Sequence, residues 1–199
     1  MDDDCAVLPA DENRAVLKRV ILPEAAASAL PQARPVVVFV GGQPGAGKTK
    51  LADLVQAALG RRGGSVRIGR DLYKAAHRHY AAALAADIRT AGAKVRADTS
   101  SWQAAVEEYV RDHALDAVVE SALADPDDFR ASSTAYRRSL HRIEVVALAT
   151  PEAWSQLGIL DRFLTEAACG TGGLALSPRG SSVCWSPPRT VRWRQEACC

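Results

Sequence analysis

Long apolar runs are missing from this 199-residue chain: no stretch approaches the roughly 20 residues that cross a bilayer. The first residues, "MDDDCAVLPADENR", are acidic and lack the cationic and apolar regions of a secretory leader. A cytoplasmic, membrane-free protein is the resulting expectation. No pair of the five cysteines has the C-x-x-C spacing of a metal or redox site. Charge of one sign is also lacking. The formal net charge is +2, the basic residues are scattered, and no aromatic-interleaved basic stripe is present, which argues against nucleic acid as a partner. Nor is there an internal repeat.

What is present fits one domain with a real core: 48% hydrophobic and 24% charged residues. Residues 12–30 carry helical periodicity that Pro31 and Pro35 end. "PVVVFVGG" is short, β-branched and bounded by Pro and Gly, as a buried parallel strand is. Further strands are expected at 65–69, 115–121 and 143–150. Helices are expected at 47–60, 71–91, from about 100 (Ser100 and Gln103 at capping-box spacing), at 127–141 and from 151 to about 167. Strands alternating with helices predict an α/β fold, a mainly parallel sheet with helices on both faces. Ligands of such sheets gather beyond the carboxyl ends of the strands.

At the end of the first strand stands "GQPGAGKT": Gly42, Gln43, Pro44, Gly45, Ala46, Gly47, Lys48 and Thr49. It satisfies the phosphate-loop pattern G-x-x-x-x-G-K-[ST]. The glycines allow positive φ, so successive amides can converge on phosphate oxygens, and the following helix adds its positive N-terminal end. Lys48 supplies a point charge for the β- and γ-phosphates, and the Thr49 hydroxyl is placed to coordinate Mg²⁺. The loop predicts binding of a nucleoside triphosphate.

The other strand ends are less specific. Asp71 follows the second strand, where a carboxylate can take the proton of an attacking hydroxyl; N-capping of the next helix is the competing role. Lys74, His77 and Tyr80 recur at three-residue steps, as a polar pocket wall or a solvated helix face. Glu120 closes the third strand, either in a metal or substrate network or as a plain edge residue. Arg162 lies on the last helix, as a surface ion-pair partner or a group facing charge on a transferring phosphoryl.

Together, "VFVGGQPGAGKT", "RDLYKAAHRHY", "VVESALADP" and "IEVVALATPEAWSQLGILDRF" resemble the zeta-toxin family of bacterial toxin–antitoxin systems, over about residues 30 to 165. The resemblance implies a P-loop kinase-like fold. It also implies a kinase using ATP and Mg²⁺ to phosphorylate the 3′-hydroxyl of the amino sugar in UDP-N-acetylglucosamine, which blocks peptidoglycan synthesis, and a small epsilon-type antitoxin as partner. It gives Lys48 and Thr49 the ATP and Mg²⁺ roles and Asp71 the role of acceptor-activating base. Lys74 stands where the family usually has an arginine, His77 matches a family histidine, and Glu120 matches a substrate-pocket glutamate. Where the family reads "EGT", this chain has Glu120-Ser121-Ala122. Arg162 matches the first of two lid-side arginines.

Past about residue 167 the resemblance stops. The segment 168–199 holds one acidic residue, Glu196, but four of five cysteines and two of four tryptophans. The expected organisation is therefore a helical lead (1–34), a kinase-like core (35–167) and an atypical tail (168–199) that reads as a frameshifted end. Arg179 is a poor stand-in for the second arginine. A catalytically impaired ATP-binding remnant, and a P-loop kinase of another hydroxylated metabolite or antibiotic, are the alternatives to an active sugar-nucleotide kinase.

Overall fold

The computed structural model describes residues 7–121 and 125–170. Four parallel strands form one sheet: β1 (Val36–Gly42), β2 (Val66–Ile68), β3 (Ala117–Ser121) and β4 (Arg142–Leu148), in the order β2-β3-β1-β4. The strand order puts β1 between β3 and β4, so the loop that follows it emerges near the middle of the sheet edge. Consecutive strands are joined through helical chain, as an all-parallel sheet requires.

Helices cover both faces. Helix α3 (Lys48–Gly60) lies on one, where Val36, Val38, Val40 and Val118 pack with Ala52 and Leu59. The alternate residues Val37, Phe39, Ala117 and Val119 face Trp102, Val106 and Val110 of α7 (Arg96–Asp112) and Tyr136 of α8 (Pro126–Arg138). The two-residue alternation of the strands thus divides the core into two clusters. Trp102, Tyr136 and Phe39 are almost fully buried, and removing a ring of that size from a core costs about 3–5 kcal/mol.

The lead is helical from α1 (Ala10–Val16) through a π-helical turn (Leu17–Ile21) to α2 (Leu22–Ala26). The wider turn precedes Pro23, which has no N–H for the Arg19 carbonyl and would crowd it in a regular α-helix. Leu8, Val16 and Ile21 belong to the same cluster as Trp102, so the lead shares the core of the sheet.

Two expectations change here. The helix expected over 71–91 is broken into α4 (Arg70–Tyr73), a 3₁₀ turn (Lys74–Ala76), α5 (Tyr80–Ala86) and α6 (Ala91–Lys94), with His77 extended. The helix expected from Ser100 begins at Arg96, so Ser100 is internal and Gln103 bonds Glu107 instead of closing a capping box. The last helix, α9, spans Glu152–Gly170. Residues 171–199, nearly all of the expected tail and Arg179 with it, lie outside the described residues.

Candidate phosphate-binding site

The loop 42–49 turns where the apolar strand ends, because only glycine accepts its conformations cheaply: φ is +77° at Gly45 and +90° at Gly47. Gly47 is also the N-cap of α3. The amides of Gly45 and Gly47 find no intramolecular acceptor among the described residues, and those of Lys48 and Thr49 open the helix. The Lys48 ammonium curls back to donate to the carbonyls of Gly42 (2.7 Å) and Gln43 (2.9 Å). Free amides, a helix N-terminus and a cation on one turn fit an oligophosphate. The Thr49 hydroxyl is exposed and makes no hydrogen bond among the described residues, which fits a magnesium ligand.

Helix α9 is pressed onto this loop. The Ser155 hydroxyl donates to the Pro44 carbonyl, Gln43 Nε2 donates to the Thr150 carbonyl (2.7 Å), and the Thr150 hydroxyl donates to the Ala46 carbonyl (3.3 Å). The backbones nearly touch: a Cβ on Gly158 would sit 2.5 Å from the Gly45 carbonyl oxygen. One turn further along α9, Arg162 is exposed, and its charge is felt at both Lys48 and Asp71. No ion pair engages Arg162 among the described residues, so the surface-pair alternative has no partner there.

Asp71 is the second residue of α4, whose N-cap is Gly69, so the capping alternative does not hold. Its carboxylate is 74% exposed and pairs with Lys74 at 2.6 Å. Partial desolvation pushes its pKa up, but the Lys74 hydrogen bond and charge, with Arg162 and Arg70, hold it below the ordinary carboxylate range. Desolvation, then Arg162, draws the Lys48 pKa down, against the opposing pull of Glu120 and Asp71. Lys48, Asp71, Glu120 and Arg162 therefore occupy one electrostatic neighbourhood at the carboxyl end of the sheet.

His77 does not join them. The expected face of Lys74, His77 and Tyr80 needs a continuous helix, and the chain breaks between them. The His77 side chain is fully buried, its Nε2 is 3.0 Å from Asp98 Oδ2, and its ring lies against Trp102. Asp98 also accepts from the Leu8 amide (3.0 Å) and from Asn13 Nδ2 (2.6 Å). The geometry gives His77 a structural place behind the cleft.

The sequence reading passed over Arg67. Its guanidinium reaches Glu120 (Nε to Oε1 2.8 Å), Asp53, Gln56 (3.3 Å) and the Thr49 carbonyl (3.1 Å). An arginine at the centre of a three-residue strand, between fully buried Val66 and Ile68, is the signal that marks it.

The sequence profile of the Zeta toxin family matches residues 23–196. The chain belongs to that family. The match runs past residue 167, where the motif-by-motif resemblance stops. Membership brings a kinase-type phosphotransferase class and agrees with the mainly parallel, helix-flanked sheet. Among solved structures, a chain of the PezAT chromosomal toxin–antitoxin system of Streptococcus pneumoniae superposes with a TM-score of 0.74 at 18% identity, over 85% of this chain and 68% of that one. The AvrRxo1-ORF1:-ORF2 complex with ATP matches with a TM-score of 0.55 at 19% identity, over 76% of this chain and 50% of that one. The same complex with sulphate ions matches with a TM-score of 0.55 at 21% identity, over 75% and 50%. The chain spans about two-thirds of the first and half of the others, and at these identities the likeness is one of fold. No curated protein sequence matches significantly. Among the described residues of this zeta-toxin relative, no helix is long and apolar enough to cross a membrane.

Proposed function

We propose that the chain is an ATP-dependent kinase of zeta-toxin type that phosphorylates the 3′-hydroxyl of the amino sugar in UDP-N-acetylglucosamine or a related sugar nucleotide, in the cytoplasm, under restraint by an epsilon-type antitoxin. The observation that carries it is the glycine turn with its free amides and the Lys48 ammonium, a turn whose charge Asp71 and Arg162 influence. The amides of Gly45, Gly47, Lys48 and Thr49, with the Lys48 ammonium, hold the triphosphate. Magnesium, held in part by Thr49, supplies charge neutralisation when bound. Asp71, anionic at neutral pH, takes the proton of the acceptor hydroxyl once that hydroxyl replaces the Lys74 ammonium as its partner. Arg162 offsets charge on the phosphoryl in flight. Lys74 and Glu120 line the acceptor side. The toxin–antitoxin setting of the PezAT neighbour, the ATP named with the AvrRxo1 complex and the family profile support this reading.

Purified protein with ATP, Mg²⁺ and UDP-N-acetylglucosamine should yield a new phosphomonoester by ³¹P NMR, lost in Lys48→Ala and Asp71→Asn. Tight ATP binding with no phosphorylated sugar would replace this reading with the impaired remnant, and turnover of other alcohols alone would replace the substrate.

A further inference from the structure

Arg67 stands between a carboxylate and the loop it serves. Its position on β2 is in register with Val118, which puts it on the α3 face of the sheet together with Glu120, two residues further along β3. Glu120 is in turn in register with Val40 of β1, two residues before Gly42, whose carbonyl receives the Lys48 ammonium. The Glu120 carboxylate thus lies with Arg67 on one side and Lys48 toward the other. Both partners of the Arg67–Glu120 pair are only 15% exposed. A carboxylate in so dry a place seeks the nearest cation, and the neutral carbonyls that now hold Lys48 compete poorly with a full charge.

We propose that Arg67 is a positioning residue of the phosphate site, acting by holding the Glu120 carboxylate away from Lys48, while its bonds to the Thr49 carbonyl and Asp53 fix the guanidinium in that place. With Arg67 in place, the Lys48 charge is free for phosphate oxygens. Without it, Glu120 captures Lys48, and an unneutralised anion repels the triphosphate. The influence of Glu120 on Lys48 agrees with this placement. The inference rests on the loop being a triphosphate cradle, and it adds a residue that touches neither nucleotide nor acceptor.

The test is a calorimetric titration of the full chain with ATP, with and without Mg²⁺, for wild type, Arg67→Gln, Glu120→Gln and the double variant. Arg67→Gln should weaken ATP binding about tenfold or more, and the double variant should return to within about threefold of Glu120→Gln, because the trapping charge is gone. A role in stability alone predicts no such rescue. Equal ATP affinity in wild type and Arg67→Gln overturns the inference while leaving the kinase reading intact. A wild type that binds no ATP overturns both. Should Arg67→Gln alone fail to fold, the neutral double variant still decides: a folded double variant that has lost ATP affinity relative to Glu120→Gln refutes the trapping.

Discussion

Three glycines look alike in the loop, but their surroundings set different demands. A Cβ on Gly47 would meet open space, so its left-handed φ is the only obstacle, and Gly47→Ala should cost roughly 1–2 kcal/mol of stability. A Cβ on Gly45 would in addition fall inside contact distance of the Ser155 backbone, which cannot step aside. Gly45→Ala should therefore lose more stability and weaken ATP binding, and urea unfolding alongside calorimetry would show the order. Asp71 gives a prediction of another kind. Its pKa is held down largely by Lys74, so Lys74→Gln lets it rise. A base must be ionised to act, so the acidic limb of the pH profile of kcat/KM should move to higher pH in Lys74→Gln. An unmoved limb in Lys74→Gln would remove Asp71 as the titrating group. The loop was legible in the sequence because its meaning lies in eight contiguous residues. Arg67 was not, because its partners stand 14, 11, 18 and 53 positions away.

Element by element, local signals did well where a segment's own periodicity matched its burial, and less well elsewhere. β1 is bounded by Pro35 and glycine and buried along nearly all its length, so an unbroken β-branched run described it fully. The segment 70–94 is rich in alanine, and propensity there spoke for one helix. Tertiary demands won instead: His77 leaves the 3₁₀ turn in an extended conformation with its ring held against Asp98, and the helix restarts only at Tyr80. Helix α9 was placed correctly as a helix, but its seat on the loop depends on a backbone contact that composition does not announce. That seat gives the prediction of this scale. Gly158→Ala puts a methyl 2.5 Å from the Gly45 carbonyl oxygen, and since both atoms belong to backbone-anchored groups, the helix must lift. The shift moves Arg162 away from the phosphates. Turnover should fall about tenfold, less than the roughly 10³-fold expected for removing a charge-stabilising arginine outright, while ATP affinity changes little. Steady-state kinetics on Gly158→Ala and Arg162→Ala side by side would test it; equal kcat in Gly158→Ala and wild type would mean that α9 positions nothing.

At the scale of the whole molecule, a polar cluster ties the N-terminal lead to the middle of the chain. Asp98 on α7 accepts hydrogen bonds from the Leu8 amide and from Asn13, and it meets His77; Asn13 in turn receives the Trp102 indole N–H at 3.0 Å. The contacts between the lead and α7 span 85 to 90 residues of sequence, which is why no window along the chain reveals them. With the contact to His77, they fasten the lead helix and the turn after α4, which begins at Lys74, directly after the short helix that carries Asp71. Asp98 is only 4% exposed, and its partners Leu8 and His77 are buried too, so they have no water to fall back on. Asp98→Ala strands two buried groups, the Leu8 amide and the His77 ring, at about 1–3 kcal/mol each, and frees the half-buried Asn13 amide, so a net loss of about 3 kcal/mol is expected. Asp98→Asn retains one acceptor oxygen but turns an NH₂ toward neighbours that donate, so it should recover only part of that loss. Urea unfolding measures both. Because the network stands behind the cleft, the folded fraction of each variant should keep its KM for the acceptor. A KM rise in Asp98→Asn that exceeds its loss of stability would instead return His77 to the substrate wall, and with it the sequence expectation that the buried geometry displaced.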